Sequence, residues 1–258
     1  MSKISVIGAG SVGATVANDL MIQGVASEIV LVDINQKKAI GEALDIYQGA
    51  PFCSPAIVRP GEYADVSGSD IIVITCGVAR KPGMSRLDLA QVNVDITKSI
   101  IPEIVRYAPD AFYVIVSNPV DVLTYVFAKV SGIPENRVIG SGTILDTARV
   151  KYLLGKKLNV DARNVHAFIV GEHGRSEVPI WSSARVSGVP LREFFEMRGY
   201  QDPDDFLKEI IKDVRKDAGE LSGRKDSTFY GVAMATRRVC EAIIRDEKSV
   251  LPVSSLMY

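Results

Sequence analysis

The chain has 258 residues, 47% of them hydrophobic and 24% charged. That is the composition of a folded globule rather than a disordered segment, and at about 150 residues per domain it makes one large or two modest domains. Thirty Lys and Arg against 31 Asp and Glu leave a net charge of -1, so there is no basic field to hold nucleic acid or a membrane surface. No apolar run approaches the ~20 residues that cross a bilayer. Lys3–Ile7 reads as a short apolar strand, followed by a glycine-rich turn and an amphipathic run, Val12–Ile22. Glu28–Val32 reads as the next strand, ending at Asp33, and Gln36–Tyr47 as a helix. Asp70–Thr75 and Phe112–Val116 are continuous apolar runs, the pattern of strands buried on both faces of a parallel sheet. Between them, Ser85–Tyr107 is long enough for a crossover helix, with a kink or break expected at Pro102. After about Ser141 the rhythm changes. Asp146–Leu158 reads as a helix, Val165–Val170 and Trp181–Val186 as strands, and Asp204–Lys216 and Thr228–Arg245 as helices. The expectation is an α/β protein: a Rossmann-type doubly wound parallel sheet over 1–142, then an α+β substrate domain over 143–258.

Cys53, Cys76 and Cys240 are too few and too scattered for a disulfide scaffold or a zinc site, and no metal centre is expected. Cys76, in an apolar strand, reads as a small core residue. The first residues enter a strand pattern directly, without the cleavage region of a signal peptide, which points to the cytoplasm. His166 and His173 are the only histidines, so any histidine mechanism must use one of them.

Gly8-Ala9-Gly10-Ser11-Val12-Gly13 is a G-x-G-x-x-G motif. Alone it is weak, but here it follows a strand, opens a helix, and precedes Asp33 by the spacing a dinucleotide fingerprint requires. Gly8 allows the tight turn, Gly10 lets a pyrophosphate approach the backbone, and Gly13 lets helix and strand pack closely. The helix N-terminus turns unpaired N–H groups and a positive dipole end towards phosphate. Asp33 suits ribose hydroxyls and repels a 2′-phosphate, and Ile34 supplies no arginine for one, so NAD is favoured over NADP. The competing reading, a glycine turn beside a solvated Asp33, does not explain why spacing, strand and helix all agree.

Four further segments carry polar residues that packing does not explain. Residues 76–86 put Arg80, Lys81 and Arg86 on one Gly/Pro loop after a buried strand, and Ser117-Asn118-Pro119 ends the next strand. Both lie at the carboxyl edge of the sheet, where such folds bind ligands. Asp146 and Arg149 share a helix face at i, i+3, and His173 follows a strand in Gly171-Glu172-His173-Gly174.

Taken in order, GxGxxG…D, RKPGMSRLDL, SNPVD, GSGTILDTAR, GEHG and STFYGVAMA resemble the L-lactate/L-malate dehydrogenase family across essentially the whole chain. The resemblance implies an NAD-dependent oxidoreductase that interconverts L-lactate and pyruvate by hydride transfer, or alternatively L-malate and oxaloacetate. It implies that His173 gives and takes the proton of the substrate hydroxyl, Asp146 orients it, Arg149 clamps the substrate carboxylate, and Arg86 polarises the carbonyl. It further implies cofactor contacts at Gly8, Gly10, Val12, Gly13, Asp33, Lys38, Gly77 and Asn118, and substrate contacts at Arg80, Asn118 and Thr228. The chemistry agrees: reducing a 2-oxo acid makes an alkoxide that needs a proton and a nearby positive charge. Histidine cycles near neutral pH, arginine matches a planar carboxylate, and a loop arginine adds electrostatic stabilisation once water leaves.

Thr228 and the GSGT and GEHG wording are lactate-like, whereas Arg80 and Met84 are malate-like; the second half favours lactate. Bacterial lactate enzymes of the family bind fructose 1,6-bisphosphate at a subunit interface, and the matching positions are Lys151 and His166. A strand histidine such as His166 is as often structural, and Lys is a weaker phosphate partner than Arg. A homo-oligomer, tetramer or dimer, is implied. Arg175 stands where the family carries Asp, Gly219 where Tyr is common, and Tyr258 falls before the family's last strands and C-terminal helix, as in a C-terminally incomplete chain. A non-catalytic NAD-binding protein would need only the glycine turn and Asp33, yet His173, Asp146, Arg149 and Arg86 are all present.

Overall fold

In the computed structural model the described residues are 2–78, 83–200, 202–225 and 227–256, with the side chains of 216–224 left out. The elements run β1 (Lys3–Ile7), α1 (Ser11–Ile22), β2 (Glu28–Val32), α2 (Gln36–Gln48), β3 (Ile57–Gly61), β4 (Ile71–Ile74), α3 (Arg86–Val105), β5 (Phe112–Ile115), α4 (Val120–Val130) and β6 (Val138–Gly140). Then come α5 (Ile144–Leu158), β7 (Val165–His166), β8 (Ile169–Val170), β9 (Val178–Pro179), β10 (Arg185–Val186), β11 (Val189–Pro190), α6 (Leu191–Met197), α7 (Pro203–Arg224) and α8 (Tyr230–Ile244). They form two units, residues 1–141 with 229–258, and residues 142–228.

In the first unit the apolar runs become one parallel sheet in the order β3-β2-β1-β4-β5-β6. β4 is buried at every position, as expected where helices cover both faces of a parallel sheet. The order reverses between β1 and β4, and a doubly wound sheet opens its ligand crevice at the carboxyl ends of such strands. Ile72, Ile74, Ile115 and Phe127 anchor one side of the core, with the Tyr113 ring 4.7 Å from that of Phe127. Helix α3 starts on a Ser85–Asp88 capping box and runs through Pro102 without the break that is one of the two outcomes expected there. Buried Ile100, Ile101 and Ile104 hold the last turns against the core, and that packing outweighs the local penalty.

The C-terminal boundary also differs from the sequence reading. The division after the sheet falls near 142, but residues 229–258 pack with the first unit rather than the second. Helix α8, whose buried residues include Ala233 and Ala235, packs on α1, and Ser254 exchanges two backbone hydrogen bonds with Gly140.

In the second unit, Val165–Val170 is not one strand. Val165–His166 pairs with β10 in a three-stranded sheet, whereas Ile169–Val170 pairs with β9. Trp181–Ser183 forms a 3-10 turn, so only Arg185–Val186 of the expected second strand is extended. The core is built on Leu154, Ile169, Phe195 and Ile210, with Phe195, Tyr200 and Phe206 in edge-to-face contact.

Candidate active site

The glycine turn is dictated by contacts. Gly8 has φ +106°, and a Cβ there would lie 2.9 Å from the Thr75 hydroxyl and from the Cys76 nitrogen. A Cβ on Gly13 would lie 1.8 Å from the Gly8 carbonyl, so helix and strand meet here only without a side chain. Gly10 is different: nothing of the protein lies within 4 Å of its Cβ position, and no side chain caps α1. The space and donors at this helix start fit the pyrophosphate of a dinucleotide. Val12 lies in the first turn of α1. Asp33 ends β2 with Oδ2 accepting from the Ala9 N–H at 2.7 Å and Oδ1 accepting from the Asn35 N–H at 2.8 Å. Its carboxylate is thereby fixed against the turn, with lone pairs left for ribose hydroxyls. Ile34 beside it is 95% exposed. Lys38, in the first turn of α2, is exposed, and its backbone N–H is capped by Asn35. Asp33, Gln36, Tyr63 and Arg106 line a cleft of about 330 Å³. Burial, chiefly, raises the Tyr63 phenol above its ordinary value.

Two loops at the same sheet edge are tied together by a residue that sequence reasoning missed. Asn93, 3% exposed on α3, accepts from the Val78 N–H at 2.8 Å and donates to the Asn118 carbonyl at 2.7 Å. It thus sets Gly77 and Asn118 side by side, and Ser117 adds a hydroxyl bond to the Cys76 carbonyl at 2.6 Å. The available signal was an asparagine on the apolar face of a crossover helix. Burial pushes the Cys76 thiol up to about 12, so it is an inert packing group, as its strand setting indicated. Arg86 is exposed at the first position of α3. Arg80 lies outside the described residues.

The second unit gathers three of the expected site residues. Thr143 donates to the Ile169 carbonyl at 2.6 Å, and the Thr147 hydroxyl accepts from the Ile169 N–H at 2.8 Å, which fastens the start of α5 to β8. β8 leads into the 171–177 hairpin that carries His173. The result is a 2.5 Å contact between His173 Nδ1 and Asp146 Oδ2, with Arg149 Nη1 donating to Asp146 Oδ1 at 2.8 Å. Asp146 is 2% exposed. A buried carboxylate held by an arginine fixes the orientation of the imidazole through Nδ1, and the guanidinium fork has further donors for a carboxylate.

The remaining expected residues are scattered. Thr228 is half-buried in the segment before α8, and Arg175 is exposed on the hairpin. Lys151 is half-buried on α5, and His166 is exposed on β7. The residue opposite His166 in the antiparallel ladder is Arg185, not Lys151. Among the described residues no three His, Cys, Asp or Glu side chains gather as metal ligands, and no helix is long and apolar enough to cross a membrane.

A doubly wound sheet with a dinucleotide turn, followed by a domain holding a His–Asp–Arg group, defines an NAD-dependent dehydrogenase. The chain belongs to the lactate/malate dehydrogenase family: residues 2–140 match its NAD binding domain and 143–257 its alpha/beta C-terminal domain. It is 51% identical over 256 residues to an L-lactate dehydrogenase of Clostridium botulinum, covering 99% of this chain and 80% of that one. An L-lactate dehydrogenase of Thermoanaerobacter sp. is 51% identical over 255 residues, covering 99% and 82%. Among solved structures, the minor L-lactate dehydrogenase of Enterococcus mundtii superposes with a TM-score of 0.95 at 41% identity, covering 99% of this chain and 82% of that one. The malate dehydrogenase of Picrophilus torridus superposes at 0.92 and 39% identity, covering 100% and 80%.

Proposed function

We propose that this protein interconverts L-lactate and pyruvate with NAD. The observation that carries the reading is the buried Asp146 bonded to His173 and Arg149, in a chain half identical to proteins named L-lactate dehydrogenase. Bound NADH supplies the hydride and bound NAD⁺ takes it back. His173 holds the proton that the new alkoxide needs, and Asp146 fixes the tautomer at Nδ1. Arg149 pairs with the substrate carboxylate. Arg86 polarises the carbonyl, while Asn118 and Thr228 border the substrate. Gly8, Gly10, Val12, Gly13, Lys38 and Gly77 serve the cofactor with Asp33, which holds its ribose.

Asp33→Ser removes the ribose partner and loosens the glycine turn at Ala9. NADH is expected to bind about 10-fold more weakly, and the preference against NADPH to shrink. Fluorescence titration with both cofactors measures this; a parent protein that already takes NADPH as well as NADH would refute the ribose assignment.

The second reading, malate dehydrogenase, rests on Arg80. A guanidinium suits the second carboxylate of oxaloacetate and is desolvated unpaired against the methyl of pyruvate. The deciding experiment is kcat/KM for both keto acids in the parent and in Arg80→Gln. The variant is expected to shift the ratio towards pyruvate at least ~10-fold. An unchanged ratio removes Arg80 from specificity, and NADH binding without oxidation by either acid would leave a non-catalytic binding protein.

A homo-oligomer, dimer or tetramer, is proposed because Ile40, Leu44 and Tyr47 form an exposed apolar stripe on α2, with exposed Phe52 just beyond. A weak anion site for fructose 1,6-bisphosphate is proposed at His166, with Arg185 opposite it and Lys151 on α5. Light scattering tests the first and calorimetry with that effector at two pH values the second; a monomer throughout contradicts the first, and pH-independent tight binding the second. The three free cysteines accord with the reducing cytoplasm, the proposed location.

A further inference from the structure

Glu177 is a buried carboxyl that the reaction as described does not use. It is 6% exposed, on the returning arm of the hairpin whose other arm carries His173. Its N–H donates to the Gly174 carbonyl at 3.4 Å, and Arg215 of α7 reaches its backbone carbonyl at 3.5 Å. The neighbouring Glu172 carboxylate is taken by the Ser176 hydroxyl at 2.5 Å, and Arg175 is exposed. Glu177 is therefore buried beside His173, while Gly171, Glu172, Gly174, Arg175 and Ser176 of the same hairpin are exposed.

Four charged groups act on its carboxyl: Asp146 and Arg149 from α5, Arg215 from α7, and His173 from its own hairpin. In this group Glu177 and Asp146 are the two carboxyls set among Arg149, Arg215 and His173, and of those three the imidazole is the one that gives up its proton most readily, since a guanidinium stays charged. We propose that Glu177 is a positioning residue that acts through His173, its negative charge helping to keep the proton there until the substrate takes it. This deepens the proposed dehydrogenase reading and rests on it for its functional meaning.

A carboxyl so placed is not there for stability. Burial, chiefly, raises it above the ordinary carboxylate range, with Asp146 adding and His173, Arg215 and Arg149 opposing. A carboxyl raised by folding weighs against the folded state as pH climbs from its unfolded-state value through its folded-state one, and fully above both. Glu177→Gln keeps the shape and removes that burden, so it is expected to melt no lower than the parent at neutral pH.

The test is the pH dependence of kcat/KM in both directions, in the parent, Glu177→Gln and Glu177→Asp. Reduction of pyruvate needs protonated His173, and oxidation of lactate needs it neutral. Both midpoints are expected to move to lower pH in Glu177→Gln, together, by about half a unit. Glu177→Asp keeps the charge further away and is expected to fall between. A merely structural role would scale the rates and leave the midpoints in place. NMR titration of the His173 ring in the same proteins, assigned with His166→Asn because only two histidines exist, reads the coupling without turnover. Rates that vanish for every substrate while the NMR midpoint moves would count against the dehydrogenase reading alone. NMR midpoints within about 0.1 unit of the parent in both variants would overturn the role of Glu177.

Discussion

Replacing His173 with asparagine is expected to lower turnover by about 10²–10⁴, or roughly 3–5 kcal/mol of barrier, while NADH binding stays near that of the parent. Asparagine fills similar space and can still make a hydrogen bond to Asp146, but it carries no proton to exchange with an alkoxide. The cofactor contacts proposed at the glycine turn and Asp33 belong to the first unit, and His173 to the second, so the two readouts separate. NADH titration and single-turnover reduction of pyruvate measure them independently. Turnover within a few-fold of the parent would remove His173 from the chemistry; His166 is exposed on β7, and the residue opposite it in the ladder is the cation Arg185 rather than a carboxylate.

Asp146→Asn is expected to cost turnover on the scale of ~10³–10⁴, comparable to loss of the orienting carboxylate in a Ser-His-Asp triad. The reason lies in its two bonds. Oδ2 meets His173 Nδ1 at 2.5 Å, and Oδ1 accepts from Arg149 at 2.8 Å. An amide cannot replace both. With its NH₂ towards His173, Nδ1 must accept and the ring is held in the opposite tautomer. With its oxygen towards His173, the NH₂ opposes the Arg149 donor. The same substitution leaves a partly buried guanidinium without its counter-charge, so melting temperature is expected to fall as well. Pyruvate kinetics alongside thermal melts measure both effects; turnover within ten-fold of the parent would mean that Asp146 does not orient the imidazole.

Legibility followed the range of the forces involved. β1 and β2 begin and end at the residues expected from pattern, because a parallel strand buried on both faces is a continuous apolar run closed by Gly or Asp. β3 escaped notice: Arg59 and Pro60 interrupt its pattern, and an edge strand tolerates both. β6 is three residues long, too short to carry a pattern, whereas α4 does have a helical period, with Val120, Leu123, Thr124, Phe127 and Ala128 buried on one face. The short strands of the second unit were misjudged in extent because their partners are distant: β7 is defined by β10, and β8 by β9.

The same division holds for the site. The glycine turn with Asp33 could be read by itself, since turn, helix start and following strand are local consequences of residues 8–33, and each glycine has a steric or ligand-directed reason. The family motifs likewise singled out His173, Asp146 and Arg149 one by one. Only the tertiary structure decided that Asp146 and His173, 27 residues apart, share a 2.5 Å contact, because it takes the bonds of Thr143 and Thr147 to Ile169 to bring helix and hairpin together. It also decided that Asn93 joins two loops, that Glu177 is buried among charges, and that α8 packs on α1. An isolated Asn or Glu reads as a solvated residue in sequence, and its burial depends on which distant chain segments cover it. That coverage is a property of the packed fold and has no period or spacing along the chain.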